Sequence, residues 1–259
     1  MPFDTIVDLW KKRSLIAVLA FNDVMLRYKN SFLGFVWTFL EPLLMLTVLF
    51  FVFTNVIKSD IENYPLYLLL GLVIWYMFSR ATTMGLSSLT DKSYIIQKTY
   101  LRKEIFVISS CLTGSIMMLF ELGAFAVFLA AFQFMPPITI LLLPLIIVEL
   151  FVLSLGISLL LSILNVYFRD IRFIWQVIIQ AGFFLTPIIY TLDMFPTTVR
   201  QILELNPVAH IIMAAHDISL YGQLPATNSI LYIISITAIL FVLGYAFFRS
   251  KAARIVEEL

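Results

Sequence analysis

Four ionisable residues lie inside long apolar stretches of this sequence: Glu41, Arg80, Glu121 and Glu149. A charged side chain inside a lipid bilayer is costly unless it pairs, meets water or lies near the interface. Two interpretations therefore stay open for these residues: a place along a pathway for a polar substrate, or a structural role in pairs between helices or near the interface. Because Glu41 directly precedes Pro42, a kink or lid at that point is a third interpretation.

The residue types that bind metals or perform nucleophilic catalysis are sparse and poorly spaced. His210 and His216 fall on different faces of a helix, with no third ligand near them, and Cys111 is the single cysteine. No two of the 9 glycines have the separation found in a Walker A loop, and no G-x-S-x-G turn occurs. We therefore expect no metal site, no bound cofactor and no catalysis by this chain.

The composition indicates a membrane protein. The 259 residues are 61% hydrophobic and 13% charged, with a mean hydropathy of +1.00. Soluble domains are about 45–50% apolar and about 25% charged, and a helix of about 20 residues crosses the hydrocarbon layer. The sequence predicts an all-α integral membrane protein whose domain of 33–248 has six transmembrane helices, at about 33–57, 64–89, 105–134, 138–165, 173–192 and 228–248.

The basic residues are segregated between the two sides of this predicted bundle. Of the 17 Lys and Arg residues, only Lys58 and Arg200 lie on one side, and Arg80 lies inside the second span. The others lie on the side of the two chain ends, and the side rich in Lys and Arg is normally cytoplasmic. We therefore predict a multi-pass protein of the cytoplasmic (inner) membrane, with cytoplasmic N- and C-termini and a cytoplasmic tail of 249–259.

Three segments outside the predicted spans have patterns of their own. Residues 1–32 have amphipathic spacing and predict an interface helix on the membrane surface, with a short soluble helix as the alternative. The loop of 90–104 predicts a short helix capped by Asp91. Residues 208–221 are apolar, bounded by prolines and too short to span, which indicates a half-helix that enters the membrane from one side.

Aromatic residues are abundant in the predicted spans. Sugar rings stack their C–H faces on aromatic rings as apolar surface, so aromatic side chains along a pathway are suited to a carbohydrate. Most aromatic residues in spans nevertheless face lipid or form interfacial belts, and that interpretation also stays open.

Several short strings occur in an order typical of one transporter family. They are RYKNSFLGFVW at 27–37 with Pro42 soon after, RKEIF at 102–106, NVYFRDI at 165–171, TPIIY at 186–190, Asn206-Pro207 and Pro225. On these strings, the sequence resembles the membrane subunit of type-2 ABC transporters that export polysaccharides such as O-antigen, teichoic acid and capsular polysaccharide. The likeness covers nearly the whole chain, and it is specific to the family but not to one polymer.

The resemblance implies partners as well as a fold. Two copies of this chain would pair with two ATP-binding cassette subunits, and those subunits would bind ATP and Mg²⁺. The substrate would be a lipid-linked polysaccharide, and the complex would contact membrane lipids and no nucleic acid.

The resemblance also implies roles for particular residues. A coupling helix in the first cytoplasmic loop would contact the ATPase, beside the interface helix, through Asp91, Lys92, Tyr94, Gln97, Lys98 and Arg102. The first and fifth spans would line the channel through Phe35, Trp37, Phe39, Phe183, Phe184 and Tyr190. A pair of re-entrant helices within 208–221 would form an exit gate with Asn206, Pro207, His210 and His216.

Three other functions stay open on the sequence. Only the strings above distinguish a polysaccharide exporter from a type-2 ABC permease for lipids or drugs. A polytopic enzyme of glycan assembly would need paired carboxylates or a basic pyrophosphate clamp at one interface, and neither pattern occurs. A structural membrane scaffold would leave the half-helix of 208–221 unexplained.

Overall fold

The computed structural model describes residues 3–53, 61–252 and 255, and the regular elements in these ranges are all helical. The α-helices are α1 (Phe3–Lys11), α2 (Arg13–Arg27), α3 (Trp37–Val52), α4 (Tyr64–Asp91), α5 (Ser93–Lys98), α6 (Glu104–Ala131), α7 (Leu143–Tyr167), α8 (Ile171–Phe184), α9 (Thr197–Leu203), α10 (Pro207–His216) and α11 (Thr227–Lys251). Short 3-10 turns, Gly34–Val36 and Ile138–Leu142, lead directly into α3 and α7. Another, Leu192–Met194, precedes α9, and a π-helical turn, Asp217–Tyr221, continues α10.

Five helical stretches of the described residues are long and apolar enough to cross a membrane. They are Gly34–Val52, Tyr64–Asp91, Glu104–Ala131, Ile138–Tyr167 and Thr227–Lys251. Their ends lie close to those of five predicted spans, although residues 54–57 of the first span are outside the described ranges. An all-helical membrane fold is thereby confirmed. The predicted tail of 249–259 begins inside α11, and most of its remainder is outside the described ranges.

The fifth predicted span, 173–192, is shorter than expected. Its helix α8 has 14 residues, and at about 1.5 Å per residue it is well short of the ~30 Å hydrocarbon layer. Pro187 has no N–H to donate and restricts the residue before it, so the helix ends upstream and the chain continues in turns. The predicted C-terminal boundary of this span is wrong, and the structure does not confirm a sixth spanning helix.

Helix α4 forms the centre of the bundle, where it packs against α3, α6, α7, α8 and α10. Lipid provides no hydrophobic force between helices, so close approach at small residues is a main source of packing energy. A Cβ on Gly114 of α6 would lie 3.0 Å from the backbone nitrogen of Ala81, and the Ser158 side chain of α7 lies against Gly85. These small residues bring α6 and α7 close to α4.

The predicted interface segment of 1–32 forms two helices, α1 and α2, which meet at Lys12. Helix α2 packs on α6, where Thr113 Oγ1 donates a hydrogen bond to the Ala20 carbonyl at 3.2 Å. The backbone then turns into α3 with positive φ angles at Asn30 (64°) and Gly34 (52°). One face of this segment is therefore attached to the bundle, while the Trp10 side chain is exposed.

Candidate functional site

Three of the four embedded charges form one cluster between three helices. Arg80 of α4 donates through Nη1 to Glu121 Oε1 of α6, and through Nη2 to Glu41 Oε2 of α3 at 3.1 Å. The exposed fractions of these side chains are 6% for Arg80, 0% for Glu121 and 43% for Glu41. Pairing between helices therefore accounts for these three charges, and Glu41 also faces open space. Glu149 of α7 does not belong to this cluster and lines a separate apolar cavity.

An open cavity of about 620 Å³ lies where α2, α3 and α4 meet. Trp37 and Glu41, one turn apart on α3, both line it, together with Arg27, Tyr28, Ser31, Leu44, Met45, Val48 and Tyr76. A partly exposed indole can stack on the apolar face of a sugar ring, and a carboxylate can accept hydrogen bonds from its hydroxyl groups. The cavity therefore combines groups that suit a polar, ring-containing substrate.

The six aromatic residues predicted to line a channel lie in different environments. Phe35 and Phe39 pack edge-to-face on Phe120, with ring centroids 4.5 Å apart for Phe35 and Phe120 and 6.5 Å apart for Phe39 and Phe120. The Phe35 and Phe39 ring centroids are 6.1 Å apart. Phe183 is buried beside Trp75, 6.1 Å between centroids. The hydroxyl of Tyr190 donates to the Phe184 carbonyl at 2.9 Å, while the Phe184 ring is exposed. Of the three on the first span, Trp37 alone lines the open cavity.

The 90–104 loop carries an exposed aromatic tip. Helix α5 has 6 residues and buries only Ile96. The Tyr94 side chain is 68% exposed, and Ile95, Gln97 and Tyr100 are exposed as well. Lys98 Nζ lies 3.9 Å from the centre of the Tyr94 ring. Exposed apolar side chains grouped on a small element mark interaction surfaces.

The predicted cap of this helix is wrong. Asp91 is the last residue of α4, and Lys92 occupies the cap position of α5 with no capping hydrogen bond from its side chain. Helix α4 continues further than its apolar pattern indicates, because its last turns still pack against neighbouring helices.

Two basic residues at the ends of this loop bind the N-terminal helices. Lys92 Nζ pairs with Asp23 Oδ2 of α2 at 2.6 Å. Arg102 Nε pairs with Asp8 Oδ2 of α1 at 2.8 Å, and its Nη1 donates to Thr5 Oγ1 at 3.0 Å. Both residues were expected at the ATPase contact, and in the structure both are engaged within the chain.

The neighbouring Lys103 connects the same region to the C-terminal end of α11. Its ammonium donates to the carbonyl of Ala252. Burial lowers the pKa of Lys103 below its ordinary value. The loop, the N-terminal helices and the end of α11 thus form one connected unit.

Helix α2 links this loop to the open cavity. Asp23 forms the ion pair with Lys92. One turn further along α2, Arg27 lines the cavity beside Glu41. Residues four apart on a helix share a face. A displacement of the loop that is transmitted through the Lys92–Asp23 pair would therefore act on a helix that forms a wall of the cavity.

We expect Lys92→Asp to lower the free energy of unfolding by about 1.5–3 kcal/mol, because it replaces a partly buried charged hydrogen bond with two acidic side chains. The measurement is thermal unfolding of the purified protein in detergent. The double variant Asp23→Lys/Lys92→Asp should regain most of the loss. Lys98→Asp, on the exposed side of the same loop, is the matched control and should change the free energy of unfolding little. Equal losses of stability in Lys92→Asp and Lys98→Asp would contradict a stabilising Lys92–Asp23 pair.

At the end of the bundle opposite α5, two tyrosines of α4 bind the turns that follow α8. Tyr64 donates to the carbonyl of Ile189 at 3.0 Å. The Tyr67 hydroxyl lies 3.1 Å from the carbonyl of Pro187 and 2.9 Å from that of Tyr190. Backbone carbonyls freed by the end of a helix need such partners when they are away from water. The irregular segment is therefore held firmly against the central helix.

The residues expected in an exit gate lie at this same end. The side chain of Asn206 caps α10 by accepting from the Val208 amide at 3.0 Å, and its amide donates to Thr186 Oγ1 at 2.8 Å; Pro207 is the first residue of α10. Within 208–221 the structure has one helix with a π-helical end instead of the predicted pair, and the second short helix of this region is α9.

The two histidines have separate environments. His216 Nε2 donates to the carbonyl of Tyr67 at 2.9 Å, and its ring stacks on the Tyr67 ring. His210 Nε2 donates to the carbonyl of Glu204 at 2.8 Å, beside Tyr232. No group of three potential metal ligands occurs in the part of the chain that the structure describes.

A bundle of apolar helices, with an open cavity between three of them and an exposed aromatic loop at one end, is consistent with a membrane component of a transporter. Residues 14–220 match the ABC-2 type transporter family, and the chain belongs to this family. The expectation of a type-2 ABC membrane subunit is thereby confirmed, and a transporter family agrees with the expectation that the chain itself is not an enzyme.

Similar proteins carry transport names. The chain is 32% identical to an O-antigen export system permease protein of Klebsiella pneumoniae, over 95% of both chains. It is 26% identical to an O-antigen export system permease protein of Myxococcus xanthus, over 97% of this chain and 98% of that one. A polysialic acid transport protein of Escherichia coli is 20% identical, over 91% of this chain and 93% of that one.

Proposed function

We propose that this chain is the permease subunit of an ABC exporter that moves a lipid-linked polysaccharide of the O-antigen class across the cytoplasmic membrane. The observation that carries the proposal is the open cavity in which Trp37 and Glu41 combine an aromatic ring with a carboxylate. The export names of relatives that match nearly the full length of the chain support the same substrate class.

ATP hydrolysis takes place in a separate subunit, which binds ATP and Mg²⁺ and docks on the exposed tip formed by Tyr94, Ile95 and Tyr100. A ligand shifts a conformational equilibrium only through different affinities for the two states. Nucleotide binding therefore acts on the permease by favouring one position of the 90–104 loop. The functional complex contains two copies of this chain and two ATPase subunits.

The sixth crossing consists of α8 together with the turns that Tyr64 and Tyr67 hold. Helices α9 and α10 lie at the exit end and act as the gate, and both chain termini are cytoplasmic. The short length of α8 is compatible with a crossing because the irregular backbone after it is hydrogen-bonded to protein.

The proposal is tested by deleting the gene and locating the glycan. We expect lipid-linked polysaccharide to accumulate on the cytoplasmic side of the membrane and to reach the surface again when the gene is restored. A deletion strain with a normal surface glycan would favour a permease for lipids or drugs instead.

Trp37→Ala is expected to slow polymer export by about three- to tenfold, which corresponds to the loss of one aromatic stacking contact. The measurement is the rate at which pulse-labelled polysaccharide reaches the cell surface. Trp37→Phe, which keeps a ring, should retain most of the rate. Trp10→Ala removes an exposed indole outside the cavity and is the control; an unaltered rate in Trp37→Ala would place Trp37 among the lipid-facing residues.

A further inference from the structure

A second, partly open cavity lies between α7, α10 and α11, and some of its lining side chains, Leu145 and Leu224 among them, are exposed. Its volume is about 280 Å³. Its wall includes Ile146, Ile211, Ile218, Ile230 and Ile233, and Glu149 of α7 is its one ionisable lining residue among the described residues. This cavity is separate from the open cavity at Trp37, since the two share no lining residue.

Glu149 has no partner within the described ranges. Its Oε1 atom is shielded from solvent and accepts no hydrogen bond there, and no ion pair involves it. The other three embedded charges are paired in the Arg80 cluster, where the one guanidinium contacts both carboxylates. An unpaired carboxyl in an apolar site is costly, and such residues in spanning helices usually have a partner.

Glu149 lies within Ile138–Tyr167, an apolar helical stretch long enough to cross a membrane. It lies six residues after the start of α7 at Leu143, roughly 9 Å along the helix axis at 1.5 Å per residue. A ligand that pairs with this carboxyl therefore presents its donor beside the apolar wall of the cavity.

We propose that the cavity binds a single-chain amphiphile with a protonated primary amine, whose ammonium donates to Glu149 while its alkyl chain contacts the isoleucine-rich wall. Charge complementarity selects the ammonium, because the pair carries no net charge and supplies the missing donor. The volume is close to the lower limit of about 300 Å³ for ligand pockets, which suits one alkyl chain better than the two chains of a phospholipid.

The test compares decylamine with 1-decanol, which has the same chain and no charge, by titration calorimetry on the full-length protein in detergent. We expect the wild type to bind the amine about tenfold or more tightly than the alcohol, as for a hydrogen bond between charged groups. Glu149→Gln should reduce the affinity for the amine to that for the alcohol. Glu204→Gln changes a partly exposed carboxyl outside the cavity, at the same end of the bundle, and should leave both affinities unchanged.

A second variant tests the location independently of the charge. Ile230 lies at the partly exposed rim of the cavity, so Ile230→Trp should fill the space without disturbing the interior of the bundle. We expect this variant to weaken the binding of both compounds. Equal affinity of wild type and Glu149→Gln for decylamine, or undiminished binding of the amine by Ile230→Trp, would overturn the proposal.

Discussion

Replacing Ser93–Lys98 by Gly and Ser, with Ile96 retained, is expected to abolish export and the co-purification of the ATPase while membrane insertion stays normal. The replaced side chains that are exposed, Tyr94 and Ile95 among them, make few contacts within the chain, so their loss leaves the fold intact. Lys92 and Arg102 are kept because they hold the loop to α1 and α2. The variant therefore removes the docking surface and preserves its support.

Three measurements separate docking from folding in this experiment: the amount of variant in the membrane, its thermal unfolding in detergent, and the ATPase recovered with it. Met135→Ser is the matched control, because it removes an exposed apolar side chain at the opposite end of the bundle. It should leave all three measurements and export unchanged. Normal export by the Gly/Ser variant would remove the 90–104 loop from the coupling pathway.

Arg80→Met is expected to lower the free energy of unfolding by about 3–5 kcal/mol, because it leaves the Glu121 carboxyl buried without its cation. Thermal unfolding of the purified protein in detergent measures this loss. Glu41→Gln should cost about 1 kcal/mol or less, since the Glu41 side chain is 43% exposed. Unfolding of Arg80→Met at the temperature of the wild type would contradict a structural role for the cluster.

The double variant Arg80→Met/Glu121→Met distinguishes the two interpretations of the embedded charges. Apolar residues of similar volume often replace a buried ion pair with little loss, so most of the stability should return. If the cluster only joins α4 to α6, export should return with stability. Recovered stability with export still absent would show that Arg80 or Glu121 also acts on the substrate.

Long segments of the fold are predictable from local patterns. Apolar runs locate five spanning helices to within a few residues, and the prolines bounding 208–221 indicate a short helix there. The one misplaced boundary, at the end of α8, comes from Pro187 inside an apolar run, where hydropathy and backbone geometry disagree. The predicted Asp91 cap is wrong because the packing of α4 extends that helix past its apolar pattern.

The sequence by itself determined the membrane class, the helix positions and the family strings, because these depend on neighbouring residues. Only the tertiary structure decided that Trp37 lines an open cavity while Phe35 packs on Phe120. It also decided that Arg80 pairs with two glutamates while Glu149 has no partner in the described ranges. The physical reason is that lipid-facing and buried faces of a spanning helix are both apolar, so residue periodicity cannot tell them apart. The partners of each charge lie on other helices, and only the packing of the bundle brings them together.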